Sequence, residues 1–165
     1  MPRPAGHQFN LLPYLDVDSA AQRVKRYYTE AKFTGRQFEW LAGGGDRPET
    51  TNCFTSDDIV AVSLLSVYIP GGASLAILQD RSADLAALLT DIPNNVDLWD
   101  APEDLIVDGG KADQLWQVLK NISGVGWVTA GKLCARKRPR LIPVYDRIVK
   151  AALSPGRKNF WIDLR

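Results

Sequence analysis

Histidine, cysteine and long apolar runs are what this sequence has least of, and each scarcity removes a class of function. The single histidine, His7, lies in a Pro/Gly-rich leader, so neither a histidine-based triad nor a histidine metal site is expected. Cys53 and Cys134 are far apart and match no zinc or iron–sulfur spacing. No metal and no cofactor is therefore expected. No apolar run reaches the ~18–20 residues of a membrane span. The opening MPRPAGHQFNLLPYLDVD has no signal-peptide core, because LLPYL is short and broken by Pro13. The chain thus reads as cytoplasmic, with no membrane partner. It also lacks internal repeats and any sustained apolar/polar alternation, which removes solenoid and sheet architectures.

What is present is a globular composition, 45% hydrophobic and 24% charged in 165 residues, with an uneven distribution of charge. Residues 1–120 carry 10 Lys+Arg against 17 Asp+Glu, whereas residues 121–165 carry 10 against 2. A neutral chain with one concentrated basic segment can bind a polyanion locally. The competing explanation is a solvated helix face.

The spacing of apolar residues predicts an all-α fold: a compact multi-helix domain over 18–165, preceded by an N-terminal arm over 1–17. Helical spacing of Ala20, Ala21, Val24, Tyr27, Tyr28 and Ala31 predicts a first helix capped by Asp18 or Ser19. Gly43-Gly44-Gly45-Asp46-Arg47-Pro48 reads as a flexible loop beside the active face, since no Gly-Lys-Ser/Thr follows to make a P-loop. Thr55-Ser56-Asp57-Asp58 before IVAVSLLSVYI predicts a central buried helix, with both carboxylates serving the positive first turn. Short helices over 74–79 and 83–92 follow. Residues 96–110 read as irregular, anchored by Trp99. Leu115, Val118, Leu119 and Ile122 mark an amphipathic helix over 112–122.

That helix runs into Ser123-Gly124-Val125-Gly126, and another begins at once with Ala130, Leu133 and Cys134 inward. So short a turn needs glycine, with Val125 plugging the space between the helices. The first amides of the second helix would offer an anion site at the positive end of its dipole. A basic run follows, Arg136-Lys137-Arg138-Pro139-Arg140. Asp146 then caps a helix over 147–153.

Leu119-x-x-Ile122-x-Gly124-Val125-Gly126-x-x-Thr129-Ala130-x-x-Leu133, with an aspartate 20 residues after Gly126, resembles the helix-hairpin-helix DNA glycosylase superfamily, the endonuclease III branch included. The hairpin occupies about 112–138 and the whole resemblance about 112–153. It implies a glycosylase-like fold, double-stranded DNA as partner, a phosphate grip by the hairpin, and a catalytic Asp146. Most of the chain is also similar to an uncharacterised bacterial family of unknown function, through FEWLAGGGD, FTSDDIVAVSLLSV and KLCARKRPRLIPVYDRIV. That likeness supplies no activity.

Departures from the superfamily narrow the expectation. Ser123 replaces the proline that often precedes the first hairpin glycine. Val128 occupies the place of the lysine used by glycosylase/lyases, and Lys132 is expected to point elsewhere, so Schiff-base chemistry is not expected. The four-cysteine cluster is absent, and the ending FWIDLR reads as an interrupted helix. The resulting picture is a monofunctional DNA N-glycosylase involved in repair. Gly124, Val125, Gly126, Thr129, Lys132, Arg136, Lys137, Arg138 and Arg140 would contact phosphates. Trp127, Tyr145, Trp40 and Tyr68 are the candidates to line a pocket for an extruded base. Asp146 would stabilise an oxocarbenium-like sugar and orient a water. A non-catalytic DNA-binding module and a helical protein-interaction domain are the alternatives. For Asp146 the competing explanation is a plain helix cap, and for Trp116 it is core packing.

Overall fold

A computed structural model describes residues 16–153 and 160–165. The arm expected over 1–17 lies almost wholly outside them. The described residues form helices and turns with no strand: α1 (Val17–Thr29), α2 (Ser56–Ser63), α3 (Gly71–Leu75), α4 (Ser82–Thr90), α5 (Glu103–Ile106), α6 (Lys111–Lys120), α7 (Trp127–Lys137), α8 (Arg147–Leu153) and α9 (Phe160–Leu164). The all-α expectation holds.

The organising element is α7. Thr129 through Lys137 are all buried, and α6 and α2 pack against it. Ala130, Leu133 and Cys134 are fully buried, as are Leu115 and Leu119 of α6, Ala61 and Val62 of α2, and Leu89 of α4. The helical period of apolar residues therefore marks true core faces on α6 and α7.

Several local expectations are corrected. The cap of α1 is Asp16, whose Oδ1 accepts from the Ser19 amide at 3.4 Å. No residue of α1 is buried, and Val24 and Tyr28 stand in solvent. Its amphipathic stripe is real, but none of its residues belongs to the core cluster. The helix expected through Ile69 stops at Ser63, and Ser66 adopts φ 59°. Its β-branched continuation has less helix preference than its capped start. At that start Thr55 and Asp58 form a capping box, the Thr55 amide donating to Asp58 Oδ2 at 2.9 Å. The 74–79 region is α3 followed by a wide π turn over Ala76–Asp80. Residues 96–110 contain α5, and their anchor is Leu98 rather than Trp99, which is exposed.

Candidate nucleic-acid interface

The basic run is the largest surprise. Arg136, Lys137 and Arg138 are 1%, 0% and 1% exposed. Arg136 donates from Nε to Asp58 Oδ1 at 3.1 Å, and from its two Nη atoms to the carbonyls of Phe38 at 2.5 Å and Leu41 at 2.6 Å. Lys137 Nζ meets Asp58 Oδ2 at 2.8 Å and donates to the carbonyls of Gly45 at 2.7 Å and Thr50 at 2.8 Å. Arg138 donates to the carbonyls of Ile92 (2.7 Å), Thr51 (2.8 Å) and Leu89, and to Asn52 Oδ1 at 2.8 Å. Their donors are occupied inside the fold, so the phosphate role expected of these three side chains is not open to them.

The physical reason lies in the segment that they touch. Residues 38–54 have no α-helix to satisfy their carbonyls, yet Phe38, Gly44, Gly45 and Phe54 are buried. Buried carbonyls need donors, and the C-terminal turn of α7, where cations also suit the helix dipole, supplies them. The triglycine segment is consequently pinned rather than a loop free to move. A β-carbon on Gly45 would overlap the Arg136 carbonyl oxygen, and the Arg47 guanidinium donates to the Ala42 carbonyl. Asp58 is more than a first-turn residue, because it is the counter-ion of Arg136 and Lys137. Arg140 is exposed but paired with Asp97, Nη2 to Oδ2 at 2.6 Å. Thr129 is 8% exposed and faces the interior.

The glycine turn, by contrast, stands at the surface. Gly124 has φ +87°, a region side chains disfavour, and a β-carbon there would lie 2.9 Å from Pro70 Cγ. Val125 is 4% exposed and plugs the helix junction. Gly126 is the N-cap of α7 with φ −81° and ψ 172°, ordinary extended angles. A β-carbon there would meet nothing within 4 Å. The fold does not require glycine at 126. Its effect is to leave the N-terminus of α7 bare, without a capping side chain.

Two lysines that the sequence reading passed over flank that end. Lys120 Nζ lies 4.6 Å from the Trp116 ring centroid, and Lys150 Nζ lies 5.8 Å from that of Trp127. Trp116 is partly buried and donates from Nε1 to the Trp127 carbonyl at 3.1 Å, which ties the ring beneath Lys120 to the first turn of α7. The i,i+4 spacing of Trp116 and Lys120 was a readable signal. Lys150 had none.

Asp146 caps α8: Oδ1 accepts from the amides of Ile148 at 2.9 Å and Val149 at 3.0 Å. Its other oxygen lies 3.8 Å from Lys132 Nζ, with side-chain exposures of 29% and 5%. Lys132 also donates to the Leu65 carbonyl at 2.8 Å. Lys132 is 4% exposed with its Nζ engaged by the Leu65 carbonyl and near the aspartate, so the phosphate role expected of it is not open to it either. Burial holds its pKa below the usual lysine range, and the facing Asp146 opposes that shift. The carboxylate rests against the middle of α7, about 9 Å along the helix from Gly126 at the usual rise per residue.

The candidate pocket aromatics divide. Trp127 and Tyr145 are neighbours, with centroids 5.7 Å apart, and Tyr145 stacks on Phe160 at 3.9 Å. Trp40 and Tyr68 protrude, 66% and 79% exposed, and neither joins that stack. Tyr68 lies two residues before Pro70, the residue packed against Gly124. Among the described residues no cluster of His, Cys, Asp and Glu is arranged to hold a metal ion, and no helix is long and apolar enough to cross a membrane.

No curated protein and no solved structure matches this chain. A family model does match, over residues 20–165, and the chain belongs to that family, described as a family of unknown function, DUF6308.

Proposed function

We propose that this protein binds duplex DNA by gripping a backbone phosphate at the N-terminus of α7, and that Asp146 serves hydrolytic release of a base from the bound strand. The observation that carries the reading is the bare end of α7 flanked by Lys120 and Lys150. The first amides of α7 lack helix partners at the positive end of its dipole, and a phosphate held there would not call on the buried basic run. The likeness of the α6–α7 turn to the helix-hairpin-helix of DNA glycosylases supports the same ligand. Exposed Tyr68 beside the turn offers a face on which a base can stack.

In the hydrolytic step the N-glycosidic bond breaks with its electron pair leaving on the base. Positive charge develops on the sugar, and Asp146 stabilises it and takes a proton from the water that adds to the anomeric carbon, while the departing base takes up a proton from solvent and Asp146 later returns its own. Lys132 holds the carboxylate in place. Its ammonium is bonded to the Leu65 carbonyl, which fits a positioning role rather than nucleophilic attack.

The experiment uses the full chain with duplex oligonucleotides carrying a panel of modified and mismatched bases, and reads release of free base. Asp146→Asn should abolish release and preserve DNA binding, since asparagine caps helices as well as aspartate does. Glutamate at Lys120 and Lys150 should weaken duplex binding. If no base is released from the panel, the hydrolytic part fails. If the double lysine variant binds as well as the parent, the phosphate site fails. A second reading, DNA binding without catalysis, is favoured by one observation: both oxygens of Asp146 already have structural partners. Under it, Asp146→Asn changes nothing beyond stability.

A further inference from the structure

α1 carries an apolar stripe that its own domain leaves uncovered. Val17, Ala21, Val24 and Tyr28 follow one another at intervals of four, three and four residues. That alternation lines side chains into a single seam, the kind that meets a second helix. All four are exposed, Val17 at 73%, Val24 at 58% and Tyr28 at 47%. The partly buried residues of α1 are Ser19, Ala20 and Tyr27, and Tyr27 packs on Phe33 and closes over Gly35. At about 100° per residue these three lie to one side of the seam, and Asp18 and Lys25 lie to the other. The seam therefore faces outward, with its own domain along one edge and two opposite charges along the other.

Those charges are free to serve a partner. Arg26 and Lys32 both pair with Glu30. Among the described residues no ion pair holds Asp18 or Lys25, and both are exposed.

The pattern is complementary to itself. Laid antiparallel on a second copy, α1 sets Val17 opposite the partner's Tyr28 and Ala21 opposite the partner's Val24. Each layer then matches a smaller residue with a larger one, so the helices can approach closely. The same alignment brings Asp18 beside the partner's Lys25, and the two-fold axis repeats the contact. A parallel copy would set Lys25 beside the partner's Ala20 and leave both charges unmatched. An anionic lipid surface would suit Lys25 but meet Asp18 with like charge.

We propose that two copies of this protein associate through α1, paired antiparallel about a two-fold axis. Val17, Ala21, Val24 and Tyr28 form the seam, and reciprocal Asp18–Lys25 contacts run along its open edge. The helix is already folded on its domain, so pairing does not bear the cost of forming it. The contact is only one short helix wide, below the usual size of a permanent interface, which makes the association reversible and of roughly micromolar strength or weaker. It does not depend on the function proposed above.

The test is sedimentation equilibrium of the full chain from about 1 µM to about 1 mM, at low salt, where exposed charge pairs are least screened. The parent should pass reversibly from monomer to dimer. Val24→Asp, at an exposed position, should keep the parent's circular dichroism spectrum and weaken association by about tenfold or more. Asp18→Lys and Lys25→Glu should each weaken it by about tenfold, because each sets like charges together twice. An equimolar mixture of those two variants should regain the parent's association, since opposite charges then meet in both contacts. A parent that stays monomeric throughout, or a dimer indifferent to Val24→Asp, would overturn the proposal. So would a mixture that associates no better than its components, because the antiparallel register requires the recovery. A monomeric parent that binds anionic vesicles, and loses them on Val24→Asp, would give the seam to a lipid surface instead.

Discussion

Asp58→Asn puts the buried basic run to the sharpest test. The change keeps shape and volume and removes one charge. In the parent, Asp58 is the carboxylate that meets both Arg136 Nε at 3.1 Å and Lys137 Nζ at 2.8 Å, with all three side chains 2% exposed or less. In the variant two buried cations face carbonyls and a neutral amide. Removing one partner of a buried pair costs about 3–5 kcal/mol, because the other charge is left uncompensated. The capping box survives in part, since asparagine Oδ1 can still accept from the Thr55 amide. A loss of about 4 kcal/mol is a large share of the roughly 5–15 kcal/mol that holds a domain folded. At this chain length it should lower Tm by about 8–16 °C. The neighbouring Asp57→Asn is the control. Asp57 is 43% exposed and pairs with Arg47 at 3.3 Å, so its loss should stay within about 0.5–1 kcal/mol.

The same variant has a pH signature. Burial already lowers the Lys137 pKa below 10.5, and Asp58 opposes that shift. Without Asp58 the folded-state pKa falls further, while the unfolded value stays near 10.5. Between those values the unfolded chain binds more protons than the folded one, so stability rises with pH. The gap between variant and parent should therefore narrow as pH climbs between the variant's folded-state pKa and the parent's, both below 10.5, by up to about 1.4 kcal/mol per pH unit. Comparing the two proteins cancels groups they share, such as Cys134. Urea unfolding at a series of pH values measures it. A variant within about 1 kcal/mol of the parent at neutral pH would refute the burial of the run.

Three further outcomes follow from the hairpin, the cations and the cysteines. Gly124→Ala should cost about 2–3 kcal/mol, from its φ of +87° and the approach to Pro70. Gly126→Ala should cost about 0.5–1 kcal/mol, and equal losses in urea unfolding would contradict the assignment of the two glycines. With only Lys120 and Lys150 at the phosphate site, log K for duplex binding should fall against log salt with a slope of about −2, and each lysine-to-glutamine change should flatten it by about one. A slope near −5 would mean that other cations carry the contact. Cys53 is exposed and Cys134 fully buried, its pKa pushed far up by burial. A thiol reagent should label Cys53 at once and Cys134 only after unfolding, so rapid labelling of both would place Cys134 wrongly.

The fold was legible where local chemistry and tertiary packing agree. Leu115, Leu119, Ala130 and Leu133 repeat at helical spacing and are fully buried. The Thr55–Asp58 cap begins a helix where such a pair should. Legibility failed where a helical pattern met no partner. The apolar stripe of α1 predicts burial, but the described residues leave Val24 and Tyr28 in solvent. It failed again after Ser63, where an apolar segment continues as turns. Periodicity reports which residues could share a face, and it is silent on whether another element arrives to cover it.

The basic run failed for a deeper reason. Counting charge along the chain separates −7 from +8 and correctly locates the cations, but their burial depends on what lies opposite. Opposite Arg136–Arg138 are a segment whose glycines, proline and threonines form short turns and the end of α4, both of which leave carbonyls inside the fold with acceptor capacity that no α-helix or sheet fills. Arginine and lysine are the donors long enough to reach several such carbonyls from one helix end. A Gly-rich irregular stretch in one part of a sequence and a compact Arg-Lys-Arg in another can thus be two halves of one structural device, with a single aspartate between them as counter-ion. That leaves the real candidate surface to residues of ordinary appearance. Lys120 and Lys150 are isolated in sequence, and only the fold sets them over Trp116 and Trp127, whose side chain and carbonyl are joined by a hydrogen bond at the first turn of α7. If DNA is the ligand, its contact should therefore be weakly basic and geometrically strict, governed by the bare helix end more than by accumulated charge.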